Sequence, residues 1–168
     1  KLRRKVREEI RSLQRRFGLT AVYVTHDQEE ALAVSDRIVV MDHGTIAQIG
    51  TPADLYERPA TPFIANFIGD ANLIEGRVAA GTFTAPGLTL PMDGPDGAAI
   101  VSVRPERIAL APGGAMQIAS ASYLGSRMEY AVATAFGEIL VSRPITEPRL
   151  APGDPVGLRF DPAALIRV

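Results

Sequence analysis

TAVYVTHDQEEALAVSDRIVVMDHGTIAQIG, the stretch Thr20–Gly50, decides how this chain is read. Thr20–Val24 is a short apolar run rich in β-branched and aromatic side chains, which predicts a buried strand. The run ends by delivering three polar residues, Thr25-His26-Asp27, where a helix over Gln28–Val34 begins. Asp27 and Thr25 are both N-cap candidates, and Glu29 and Glu30 fall in the first turn, where the helix dipole favours carboxylates. Arg37–Met41 reads as a second buried strand, Asp42-His43-Gly44 as a tight turn, and Thr45–Ile49 as its antiparallel return. Strand, helix, strand and hairpin in that order fit the last portion of an α/β domain. In open α/β sheets ligands bind beyond the carboxyl ends of the strands, so His26 stands where a side chain can reach a bound phosphate.

On the N-terminal side, Leu2, Val6, Ile10, Leu13 and Phe17 form one apolar stripe at helical spacing, and Gly18 supplies a C-cap. On the C-terminal side, Thr51-Pro52 and Thr61-Pro62 each place a hydroxyl at N-cap and proline at N1, predicting two short helices. The first carries Leu55 and Tyr56. The second carries Phe63, Ile64, Phe67 and Ile68 and stops at Gly69. From Asn72 onward prolines and glycines recur between short alternating runs, the punctuation of an all-β region. Strands are expected near Asn72–Val78, Leu88–Met92, Ala99–Arg104, Gln117–Leu124, Met128–Ala135, Glu138–Ser142, Val156–Phe160 and Leu165–Val168, with a hairpin at Phe136-Gly137. Closure into a small barrel would remove their exposed edges. The domain boundary is set at residues 70/71. Asn72–Val168 is expected to fold alone and residues 1–69 are not, because Val22, Val24, Ile38 and Val40 would lack partners.

Composition narrows the functional classes. The chain has 168 residues, no cysteine and a formal net charge of −1. Disulfides, thiolate catalysis and cysteine metal sites are excluded, and no electrostatic footprint for nucleic acid or anionic lipid is present. No apolar run approaches the roughly 20 residues that span a bilayer. The basic N-terminal segment lacks an apolar core and cleavage site, so it is not a signal peptide. An oligonucleotide-binding barrel would need a basic groove with stacking aromatics, against which stand the absence of tryptophan and an aromatic content of 6%.

The V-T-H-D segment and the following S-D-R-I-V-V-M-D-H-G-T-I-A-Q-I-G-T-P closely resemble the switch-histidine region of ATP-binding cassette (ABC) transporter ATPases. Farther on, F-I-G-D-A-N-L-I-E-G-R-V, V-S-V-R-P-E-R-I-A-L, Y-L-G-S-R-M-E-Y and L-A-P-G-D-P-V-G-L-R-F resemble the accessory barrel of the maltose, polyamine and ferric-iron importer group, the transport-associated OB (TOBE) domain. The resemblance implies an α/β piece of a P-loop ATPase domain over residues 1–70, followed by an all-β, OB-like TOBE barrel over residues 71–168. It implies an ATP-hydrolysing subunit that works as a homodimer against transmembrane permease subunits, on the cytoplasmic face of the bacterial inner membrane. ATP and Mg2+ are the implied cofactors. His26 is the implied catalytic and nucleotide-contacting residue, hydrogen-bonding the γ-phosphate.

No G-x-x-x-x-G-K-[ST] loop, L-S-G-G-Q-like signature or strand ending in Asp-Glu occurs in the sequence. The chain is therefore expected to be the C-terminal part of such a subunit, inactive alone, with no cofactor, no metal site and no nucleic acid of its own. The alternative is a stand-alone TOBE module for regulation or dimerisation, without catalysis. A histidine at a strand end is ordinarily a surface or capping residue, and the surrounding match is what singles out His26. His43, in a turn, has no comparable case. Asp27, Glu29 and Glu30 read as dipole-favoured helix-start carboxylates rather than a cation site. Arg104-Pro105-Glu106 reads as a structural turn. The transported solute stays open among polyamine, ferric iron, sugar and phosphonate.

Overall fold

The computed structural model describes residues 2–168, with side chains for all of these except residues 2–5, 7 and 8. Lys1 and the side chain of Leu2 from the predicted stripe thus lie outside the described residues. The chain forms two compact units, one ending at Arg58 and the other beginning at Pro59.

In the first unit, α1 (Leu2–Phe17) ends at Gly18, whose φ of 63° closes the helix as the Leu19 N–H reaches the Gln14 carbonyl at 3.0 Å. α2 (Gln28–Val34) follows, then β1 (Ile38–Asp42) and β2 (Thr45–Gly50), an antiparallel hairpin. Its two-residue turn, His43-Gly44, has φ of 45° and 80°, the positive pair that a tight hairpin requires. α3 (Pro52–Glu57) starts at the Thr51 cap and buries Leu55 completely.

One expectation is overturned here. Thr20–Val24 forms no strand, and Val22 and Val24 are each 90% exposed. β-propensity describes a side chain's fit to a pleated, half-buried surface, and a strand exists only through its ladder partner. None of the described strands pairs with this run. The apolar stripe of α1 is likewise uncovered, with Val6, Ile10, Leu13 and Phe17 all exposed. Ile38 and Val40 were expected to lack partners too, yet both are buried; β1 turns alternate residues inward and leaves Val39 and Met41 out.

The second unit opens with α4 (Pro62–Phe67), capped by Thr61, whose hydroxyl accepts from the Ile64 N–H at 3.3 Å. Ile64 is fully buried, and the buried Arg104 guanidinium donates to the Ala65 carbonyl at 2.8 Å, tying this helix into the β-rich unit. Then come β3 (Asn72–Ala79), β4 (Thr82–Ala85), β5 (Leu88–Pro91), β6 (Gly97–Val103), β7 (Ile108–Tyr123), β8 (Arg127–Thr134), β9 (Gly137–Pro144), β10 (Pro155–Phe160) and β11 (Ile166–Arg167). They build two antiparallel sheets, ordered β11-β6-β3-β4-β5 and β10-β7-β8-β9. Ile74, Val78, Phe83, Val101 and Val103 from the first sheet pack with Ile108, Tyr130, Val132, Val141 and Val156 from the second in one core. The all-β character that the punctuation predicts is present, as two sheets sharing one core rather than one closed ladder.

Two devices fit the sheets together. A Cβ at Gly76 would run into the Phe83 ring and the Thr84 backbone, so glycine lets β4 lie close over β3. The Asn72 side chain joins β3 to β9: its Nδ2 donates to the Leu140 carbonyl at 2.8 Å and its Oδ1 accepts from the Leu140 N–H at 2.7 Å.

Candidate functional site

The segment around His26 is organised from the helix side. Asp27 is the N-cap of α2 in extended conformation, and its Oδ1 accepts from the Glu30 N–H at 3.0 Å. The Thr25 hydroxyl donates to Glu30 Oε2 at 2.7 Å and accepts from the Asp27 N–H at 3.0 Å. These bonds fix the residues on either side of His26, while the imidazole itself stands in solvent. At the other end of α2, Arg11 of α1 donates to the Ala33 carbonyl at 3.3 Å and lies 3.6 Å from Asp36. A cation there complements the helix C-terminus.

Sequence reasoning named His26, Asp27, Glu29 and Glu30 at this turn. The structure places Asp27 and Glu30 in one bonded network and leaves His26 and Glu29 exposed outside it. Thr25, the other cap candidate, does not cap the helix; its hydroxyl links the cap to Glu30. The burial of Glu30 was not foreseen, and its signal was available: a threonine five residues upstream whose hydroxyl can curl back over the helix start. His43 lies 96% exposed in its turn, 3.7 Å from the Asp42 carboxylate.

No group of three or more His, Asp or Glu among the described residues is arranged to hold a metal ion. The sequence has no glycine-rich nest with a lysine to cradle phosphates. What the turn offers is a single exposed imidazole, able to give or accept one hydrogen bond at a fixed place. No helix among the described residues is long and apolar enough to cross a membrane.

Comparison with known proteins bears on both units. Residues 101–168 match the TOBE domain, the family that the motifs of the second half resemble. Over 174 aligned positions the chain is 48% identical to the Fe(3+) ions import ATP-binding protein FbpC 1 of Rhizobium meliloti (strain 1021), covering 95% of this chain and 49% of that protein. It is 46% identical over 177 positions to the Fe(3+) ions import ATP-binding protein FbpC of Rhizobium etli, covering 96% and 49%. The corresponding protein of Vibrio cholerae serotype O1 is 45% identical over 141 positions, covering 78% and 40%. The chain spans about half the length of the curated relatives it matches. It is related to the C-terminal part of ABC importer ATP-binding subunits and carries their TOBE domain.

Proposed function

We infer that this chain supplies the switch histidine and the TOBE unit of an ATP-hydrolysing subunit that energises solute uptake. The observation that carries the reading is His26. It is exposed on a turn whose neighbours are held by hydrogen bonds, in a chain similar over nearly its whole length to import ATP-binding proteins. In this reading the imidazole hydrogen-bonds the terminal phosphate of ATP, where a positioned donor is most useful as charge develops. The phosphate-binding loop, the signature and the Mg2+ ligands come from residues outside this sequence. The names of the relatives point to Fe(3+) as the cargo. Two copies of the subunit acting on permease partners at the cytoplasmic face of the inner membrane complete the system. A stand-alone regulatory or dimerisation module is the second reading, favoured by the self-contained core of the second unit.

In the complete subunit, His26→Ala is expected to lower ATP turnover roughly 10²–10³-fold while ATP binding survives. Turnover close to that of the unmodified protein rejects the assignment. Calorimetric titration of the 168-residue chain with Mg-ATP is expected to give no micromolar binding; such binding would overturn the view that the nucleotide site is completed elsewhere.

A further inference from the structure

We propose that Thr25 and Glu30 are positioning residues for His26, acting through a closed ring of hydrogen bonds that frames it; the proposal rests on the reading of His26 given above. The ring runs from the Thr25 hydroxyl to the Glu30 carboxylate at 2.7 Å, from the Glu30 N–H to the Asp27 carboxylate at 3.0 Å, and from the Asp27 N–H back to the Thr25 oxygen at 3.0 Å. His26 lies between Thr25 and Asp27, two members of the ring bonded directly to each other, and outside the ring itself.

The same molecule shows what an ordinary helix start looks like. At α3 the Asp54 carboxylate accepts directly from the N–H of its cap, Thr51, at 2.9 Å, while the Asp54 N–H returns to the Thr51 hydroxyl at 3.2 Å. That reciprocal pair satisfies two helix-end donors and needs no third residue. At α2 the corresponding acidic residue, Glu30, does not bond the N–H of its cap. The Thr25 hydroxyl is inserted between them, so the box reaches across His26 to the residue before it. Capping alone is met by Asp27, whose carboxylate already takes the Glu30 N–H.

The longer box carries a cost. Glu30 is the only buried carboxylate among the described residues, at 8% exposure. Removing a charge from water is unfavourable unless hydrogen bonds compensate it. The Thr25 hydroxyl supplies one such bond, at 2.7 Å. The return is a backbone pinned on both sides of His26 even though the run before it, Thr20–Val24, forms no strand here. The ring thus frames the histidine with bonds made at the start of α2.

The test uses the complete subunit and five variants. Thr25→Val and Glu30→Leu are each expected to lower kcat about 10-fold, with the KM for ATP and the melting temperature little changed, because small displacements of a positioned group are costly to rate. Glu30→Gln, which keeps an acceptor oxygen, is expected to recover most of that loss. The double variant His26→Ala/Glu30→Leu is expected to be no slower than His26→Ala alone, since Glu30 acts through the imidazole. If His26→Ala is slow but Thr25→Val and Glu30→Leu turn over normally, positioning is wrong and the role of His26 stands. Losses that multiply in the double variant also overturn the proposal. If His26→Ala itself turns over normally, the underlying reading fails and the proposal falls with it. A readout besides activity comes from the 168-residue chain, whose two histidines are His26 and His43. With 15N-labelled histidine, Thr25→Val is expected to shift the ring signals of His26 and leave those of His43 in place. Unmoved His26 signals would count against the ring.

Discussion

Ile74, Val78 and Phe83 of the second unit are fully buried, whereas Val22 and Val24 of the first are 90% exposed, although all belong to β-prone runs. The side chains are of one kind; what differs is the company. Ile74 and Val78 lie on β3, flanked by β4 and β6 and faced by the second sheet. The valines of Thr20–Val24 have no described strand beside them. The lesson is that burial belongs to an assembly of elements, and that a unit can keep its capped helices and hairpin while these apolar side chains stay exposed.

The sharpest way to break this comparison is to separate the units. Residues 59–168 alone are expected to melt cooperatively, and residues 1–58 are not. A small piece buries too little of its surface to offset chain entropy. Calorimetry on both pieces checks this, and a cooperative transition in the first would show that its exposed valines and α1 stripe are no obstacle to folding.

A finer version compares single side chains. Ile74→Ala is expected to destabilise the second unit by about 2–5 kcal/mol, the range for emptying a packed site. Val24→Ala is expected to change stability by no more than about 0.5 kcal/mol, as at other exposed positions. Denaturant titration of both variants in the same chain makes the measurement; a comparable loss from Val24→Ala would mean the run is paired in solution.

Asn72→Ala comes next, at about 1–3 kcal/mol, the cost of leaving partly buried backbone groups of Leu140 without their partner. The loss should appear with amide exchange at Leu140 rising ahead of its neighbours in β9. Uniform exchange across β9 would show that the amide does not hold the strand.

The smallest effect is expected at the α3 cap in the first unit. Hydrogen bonds from the Thr51 side chain and backbone, with Arg58 nearby, hold the Asp54 carboxyl below its ordinary value of 3.8. The folded state therefore binds that proton less readily than the unfolded chain. The contribution is fully present above pH 3.8 and is lost as pH falls through the lower folded value. Asp54→Asn should flatten the acid dependence of α3 helicity by circular dichroism, the variant already showing at neutral pH the small loss that acid produces in the unmodified chain.

What could be read from sequence was what neighbours in sequence decide. Thr51-Pro52 and Thr61-Pro62 start helices because cap and proline act within one turn, and both caps are formed. Asp27 and the limits Gln28–Val34 follow from the same local chemistry. Thr20–Val24 was misread because its strand depends on partners that the run itself does not encode. β7 was only half seen: Pro112-Gly113-Gly114 looks like a loop, yet the backbone continues through a register shift against β10 and runs from Ile108 to Tyr123. β4 is four residues between two glycine-containing turns and was passed over entirely. At the candidate site, the position of His26 was legible, while the ring around it depends on Thr25 folding back onto Glu30.

The Asn72 side chain is in effect a peptide group carried off the main chain, since its amide offers Leu140 the same donor and acceptor that a neighbouring strand would. The backbone pairing of a strand survives most substitutions because every residue except proline brings its own backbone amide, but a seam made by a side chain has no such freedom. Aspartate at 72 would set a carboxylate against the Leu140 carbonyl, glutamine would overreach by one methylene, and serine would fall short. A saturation library of this chain should therefore show a vocabulary of one at position 72, beside a tolerant Leu73 whose side chain faces solvent.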